Sequence, residues 1–267
     1  MDNRRVIEPL VLATNPLVFV LGQVVFSPVL RMGNYVPELQ EQFRRAGFPR
    51  FHQLDAQELR LGPGGAQVIP DRRWVFADRA NQIAVVLSAS FVVVEQTRYV
   101  SFESFIETVA QAVEIIGEVL DVDLCERLGF RRVNLIEPGS SGLSLREFFQ
   151  PGLRGLEPSE LGVERLDAQL EERGQTPSGN LVVRLLKPAP DSGLPPDLGM
   201  TTLHQKAPDA GAESALLDID HYSTRERDFQ TDAVVEGFWE LHRYSDEAFR
   251  AAVTAEALGF WGRGGPA

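Results

Sequence analysis

A single cysteine, Cys125, excludes an internal disulfide. No second thiol completes a C-x-x-C redox pair or a cysteine zinc set, so the composition fits a reducing cytoplasm. Cys125 follows a helical pattern and has Leu124 and Leu128 for neighbours, which makes it a small buried hydrophobe in preference to a nucleophile. Positive charge is also short: 26 Lys and Arg stand against 38 Asp and Glu, a net charge of −12. Such a chain repels a phosphate backbone, and nucleic acid is not a favoured partner. Lysine is almost missing, with only Lys187 and Lys206, a bias that carries no functional weight. Long apolar runs are missing too. The uncharged stretch from Pro9 to Leu30 follows Arg4 and Arg5 as a signal or membrane segment would, but Asp2 and Glu8 spoil the basic flank, and Asn15-Pro16, Gln23 and Pro28 interrupt the run. No G-x-S-x-G, G-x-x-x-x-G-K-[ST], H-E-x-x-H or G-x-G-x-x-G occurs, and no cofactor is predicted.

What is present is a 267-residue chain with 43% hydrophobic residues, enough to bury a substantial core. The acidic excess is lopsided: residues 1–133 carry 14 basic and 16 acidic side chains, and residues 134–267 carry 12 and 22. The more acidic half is the one suited to solubility or to a basic partner.

The patterning predicts a lead-in strand near Leu10–Leu12, a turn at Thr14-Asn15-Pro16 and a central strand over Leu17–Phe26. A helix follows, with Val36, Leu39 and Phe43 on one face, ended by Gly47 and Pro49. After a weakly alternating stretch over 51–61, Gly62-Pro63-Gly64-Gly65 turns the chain. Arg73–Phe76 and a long strand over Ile83–Thr97 form a hairpin. Ser101 caps a helix whose stripe runs Phe102, Phe105, Ile106, Val109, Val113, Ile116 and Leu120. A strand at Phe130–Ile136 leads to a break at Glu137–Gly142.

The second half reads similarly. Ser144 and Glu147 have capping-box spacing, and a hairpin joins Leu166, Ala168 and Leu170 to Leu181–Leu186. Residues 188–212 are rich in Pro, Gly and Asp and read as a mobile excursion. Ala215–Tyr222 is a strand, Asp232 caps a final helix to about Leu258, and Trp261 docks its end. Hairpins closed by long amphipathic helices, without β-α-β alternation, predict an α+β fold: an antiparallel sheet with helices on one face. The two halves, 1–137 and 138–267, form a pseudo-duplicated plan like that of TATA-binding proteins or helix-grip proteins, expected to fold as one compact unit; the likeness is of shape alone.

Asn15-Pro16-Leu17-Val18, Val36-Pro37-Glu38-Leu39-Gln40, Arg73-Trp74-Val75-Phe76, Tyr99-Val100-Ser101-Phe102 and Arg127–Asn134 together resemble a sporadically distributed, uncharacterised bacterial family of about this length. Leu217–Tyr222 and Phe260-Trp261-Gly262 are similar to its later blocks. The resemblance implies a bacterial cytoplasmic origin and one full-length unit. It brings no established activity with it.

Three sets of residues are candidates for function. Asp218 and Asp220 share a face of a strand, and with His221 or His204 they are candidate ligands for a divalent cation in a hydrolase; the plainer reading is a solvated strand face. Gly139–Gly142 is a turn with weak potential to bind an anion. Arg72, Arg73 and Trp74, with Arg98 and Tyr99 near the partner strand, are candidates for a binding surface. A further possibility is a small apolar ligand between helix and sheet, in a hollow lined by Phe91, Phe102 and Phe105. With no catalytic template, the preferred expectation is a non-catalytic interaction or regulatory protein, an oligomer or an accessory subunit of a larger assembly; the resemblance to a sporadically distributed bacterial family is compatible with a defence-type system. Its partner would be a protein or a second copy of itself, without membrane attachment.

Overall fold

Leu17–Phe26 (β1) carries apolar side chains on both faces, a pattern that suits a strand paired on both edges. In the computed structural model, which describes residues 12–62, 65–156, 158–163, 167–198 and 201–262, β1 holds the middle of an antiparallel sheet. Leu10 and Val11 of the expected lead-in, Pro63 and Gly64 of the expected turn, and Leu166 lie outside the described residues.

The remaining strands are β2 (Arg50–Gly62), β3 (Gly65–Ala77), β4 (Ile83–Leu87), β5 (Phe91–Gln96), β6 (Leu124–Ile136), β7 (Ala168–Thr176), β8 (Gly179–Lys187), β9 (Ala215–Ser223) and the short β10 (Arg227–Asp228). Their order is β2-β3-β4-β5-β1-β6-β9-β8-β7, with β10 beside the start of β6. Helices α1 (Met32–Arg45), α2 (Phe102–Leu120) and α3 (Thr231–Ala252) pack on one face, and α4 (Ala255–Gly262) closes the end. The architecture is α+β, as the patterning predicts. Each half starts with a central strand, β1 or β6, passes to the outermost strand, β2 or β7, returns inward through antiparallel strands and ends in a long helix, α2 or α3. In the second half, 3-10 turns at Leu145–Phe148 and Pro151–Leu153 stand where the first half has α1. No helix among the described residues is long and apolar enough to cross a membrane.

The helix-side core is aromatic. Phe26, Phe43, Phe76, Phe105, Phe130 and Phe238 are all fully buried there. Ser101 begins α2 by accepting the Ser104 N–H at 3.2 Å, and Asp121, at φ 53°, ends it. Gly22 lets the helices come close: a Cβ there would stand 2.8 Å from Phe105 Cζ and 3.1 Å from Phe238 Cε1.

Four expectations need correction. The strand expected over Ile83–Thr97 is two strands, because Ser88-Ala89-Ser90 turns the chain, with Ser88 N–H donating to the Phe91 carbonyl at 2.9 Å. Phe91 and Val93 therefore face away from Val85 and Leu87. The final helix breaks at Val253, where Thr254 N–H donates to Phe148 O and the Thr254 hydroxyl to Glu147 O, tying the break to the 3-10 turns. Gln230 is its N-cap, and Asp232 lies in the first turn, favourable to the helix dipole but not the cap. The segment after β8 is not an excursion away from the body. Ala189 and Leu194 pack on Phe19, Val133, Leu135 and Leu216, and Leu203 packs on Val75, Val86 and Val93. It crosses the face that carries no helix and is tied at its far side by Asn81, whose side-chain amide donates to Thr202 O at 2.7 Å.

Candidate functional site

The crossing segment covers both ends of the open sheet face and leaves a polar gap between them. Strand register fixes the rows in that gap. Glu95 on β5 lies opposite Leu21 on β1, Leu21 opposite Arg131 on β6, and Arg131 opposite Asp220 on β9. The next row carries Val93, Gln23, Gly129 and Tyr222. Arg127 follows on β6, and Leu198 and Thr201 of the crossing segment overhang. Together these residues enclose a cleft of about 310 Å³ with an apolar floor of Leu21, Val86, Phe91 and Val93. That volume is at the small end of ligand sites.

One side of the cleft is a saturated ion network. Arg131 donates from Nε to Asp218 Oδ1 and from Nη2 to Oδ2, both at 2.8 Å. It also reaches Asp197 of the crossing segment, Nη1 to Oδ2 at 2.6 Å. Arg184 donates to Asp218 at 3.1 Å and to Glu171 at 2.6 Å. Burial works against the charge of Arg131, but Asp197 and Asp218 more than offset it and raise its pKa. The Arg131 guanidinium in turn lowers the pKa of Asp197.

The other groups are less satisfied. Asp220 has no hydrogen-bond or ion-pair partner among the described residues, and burial raises its pKa although Arg131 and Arg127 oppose the shift. Glu95 is raised in the same way, chiefly by burial and against the pull of Thr201 and Arg73, and its Oε2 is buried without a partner. Arg127 donates to Gln23 Oε1 and stacks on the Tyr222 ring at 4.6 Å, with no carboxylate in ion-pair reach among the described residues. Gly129 makes room for it: a Cβ there would stand 3.3 Å from Arg127 Nη1. Arg73 lies over Phe91, 5.4 Å from the ring centre, at the opposite wall.

The residues singled out in the sequence are scattered across this frame. Trp74 is buried on the helix side, while Arg73 faces the cleft. Arg72 pairs with Asp55 at 3.4 Å in solvent, Arg98 is exposed, and Tyr99 is half-buried against the helix-side core, its pKa raised to about 12 by burial. The five do not make one surface. Asp218, Asp220 and His221 do not converge either. His221 points to the helix side, between Leu241 O at 2.9 Å and Thr176 Oγ1 at 2.8 Å, and Asp218 is taken up by two arginines. His204 is held at the far end by its backbone, through Asn81 O. Among the described residues no three His, Cys, Asp or Glu side chains are grouped to hold a metal ion. The hollow suggested between helix and sheet is filled by Phe102 and Phe105, and Phe91 lies on the other face.

Sequence reasoning missed Glu95, Gln23, Arg127 and Arg131. They lie on strands far apart in the chain, and the available signal was a polar residue inside an otherwise apolar strand, as Gln23 and Glu95 are. No protein-family model matches the chain, and no curated protein matches it.

Proposed function

We propose that this protein is a non-catalytic binding or regulatory protein and that the cleft on the open face of its sheet is the recognition surface. One observation carries the reading: Glu95 has a buried Oε2 that no described residue satisfies, and the part-buried Asp220 at the other end of the same cross-strand row makes no hydrogen bond or ion pair to a described residue. Burying such groups costs free energy unless a partner satisfies them.

Catalysis by these two carboxyls is disfavoured by their spacing. Glu95 and Asp220 stand at the ends of one cross-strand row with β1 and β6 between them, three strand spacings or about 14 Å from backbone to backbone. An acid and base acting on one bond work closer together. The lone buried Cys125 and the acidic composition support a reducing cytoplasm as its place of work.

The test is capture from a bacterial host that makes the protein. Tagged wild type should retain a partner or ligand that the Asp220→Asn, Glu95→Gln double variant loses, while Glu236→Gln on the outer side of α3 retains it. Equal retention by the wild type and the double variant would overturn the reading.

A further inference from the structure

We propose that the cleft binds a free basic α-amino acid, with its side-chain cation on Glu95, its α-ammonium on Asp220 and its α-carboxylate on Arg127. This assignment rests on the cleft being the recognition surface and gives that surface a ligand class.

Charge and hydrogen-bond balance select the class. The neighbouring ionic groups Arg131, Arg184, Asp218, Asp197 and Glu171 already satisfy one another. Arg73 on the opposite wall is engaged over Phe91 and acts on Glu95 from there; beside it remain two carboxyl groups and one guanidinium, the part-buried Asp220, Glu95 with a buried unpartnered Oε2, and Arg127 with a single amide acceptor. A ligand that completes this set offers two separated cationic donors and one anionic acceptor. A simple diamine leaves Arg127 unsatisfied, and a dicarboxylate leaves both acids unsatisfied. Arginine and lysine carry all three groups.

Spacing agrees. The two acids are separated at the backbone by three strand spacings, about 14 Å, and both side chains reach into the gap, which leaves the span of an extended basic amino acid. Leu21 lies next to Glu95 in the same row, and Val93 also lines the cleft, so the methylene stem meets an apolar floor at that end. Three neighbours hold Arg127 in place. Gln23 fixes one end of the guanidinium, Tyr222 lies against its plane, and Gly129, lacking a side chain, leaves the space that the guanidinium occupies. A guanidinium so placed presents its remaining N–H groups to a carboxylate.

The experiment is titration of the full-length protein with L-arginine, L-lysine, agmatine, N-acetyl-arginine and L-glutamate, followed by calorimetry and NMR shifts. L-Arginine or L-lysine should bind saturably. Agmatine, which lacks the carboxylate, and N-acetyl-arginine, which lacks the ammonium, should each bind about tenfold more weakly. Asp220→Asn and Glu95→Gln should each weaken L-arginine by at least about tenfold. Arg127→Ala should erase the preference for L-arginine over agmatine, a selective change that misfolding does not produce. Circular dichroism and thermal unfolding check that each variant is folded.

No saturable binding of either basic amino acid up to about 10 mM overturns the assignment. So does equal affinity in wild type and Asp220→Asn, or tighter binding of L-glutamate. If the acid variants lose the captured native partner but L-arginine does not bind, the ligand class falls and the recognition surface stands. If they keep that partner, the surface falls as well.

Discussion

Arg131 lies opposite Asp220 in the β6–β9 register, yet its guanidinium turns along the strands to grip Asp218, with Nε–Oδ1 and Nη2–Oδ2 both 2.8 Å. The diagonal choice leaves Asp220 unpaired and satisfies the deeper acid, whose side chain is fully buried. Two aspartates on one face of one strand thus have opposite roles, one holding the fold and the other facing the cleft.

Asp218→Ala removes the fully buried acid shared by Arg131 and Arg184, leaving them only the more exposed Asp197 and Glu171, and should cost about 3 kcal/mol, read from the urea midpoint. Asp220→Asn removes a carboxylate that folding desolvates without a hydrogen bond, so it should leave stability at pH 7 unchanged or raise it. A comparable loss in both variants would contradict this division.

His242 stacks on Phe102 with ring centres 3.9 Å apart. Burial, with Arg132 nearby, holds its pKa down to about 4, against the opposing pull of Asp246 and Glu103. The unfolded chain takes up the proton near pH 6.5 and the folded chain only near pH 4. Acidification through that window should therefore remove up to about 3 kcal/mol of stability. His242→Phe should flatten the loss, measured as the difference in urea midpoint between about pH 7 and about pH 4.5. Glu95 and Asp220, raised by burial, act in the opposite direction over their own range, and both are unchanged in the comparison.

Gly22→Ala places a methyl group against the Phe105 ring and should cost about 1–3 kcal/mol through overpacking. Gly33→Ala, at the start of α1 with nothing within 4 Å of the new Cβ, should leave stability unchanged or slightly raised. Thermal melts of the two variants separate these outcomes.

Burial raises the Cys125 thiol to about 11, so at about pH 8 it is both shielded and protonated. Native protein should resist a thiol-specific reagent such as Ellman's, and the unfolded chain should react with one equivalent. Rapid labelling of the native state would contradict the packing of this strand.

Much of the fold is legible in the sequence. The apolar strand at Leu17–Phe26, the Ser101 cap with its stripe through Leu120, the Ser144–Glu147 capping box and the strand at Ala215–Ser223 all follow from local pattern. Local pattern fails where two explanations share one signature. The turn at Ser88–Ser90 hides between two apolar stretches of equal character, and the break before Thr254 depends on backbone contacts to Phe148 and Glu147 from distant chain. The site is less legible. Asp220 stands out on its strand, but which of the two aspartates is neutralised depends on Arg131 and Arg184, whose approach is set by the order of strands. In an unbroken strand Glu95 would share a face with Val85 and Leu87 on the helix side; the turn at Ser88–Ser90 moves it to the open face instead.

The position of β1 between β5 and β6, with Leu17 opposite Asn134, carries a cost during synthesis. On the ribosome the opening strand waits with one edge unpaired until the sixth has emerged, a non-local closure of the kind that slows maturation. That waiting edge, greasy on both sides, is where a nascent chain of this protein most needs a chaperone.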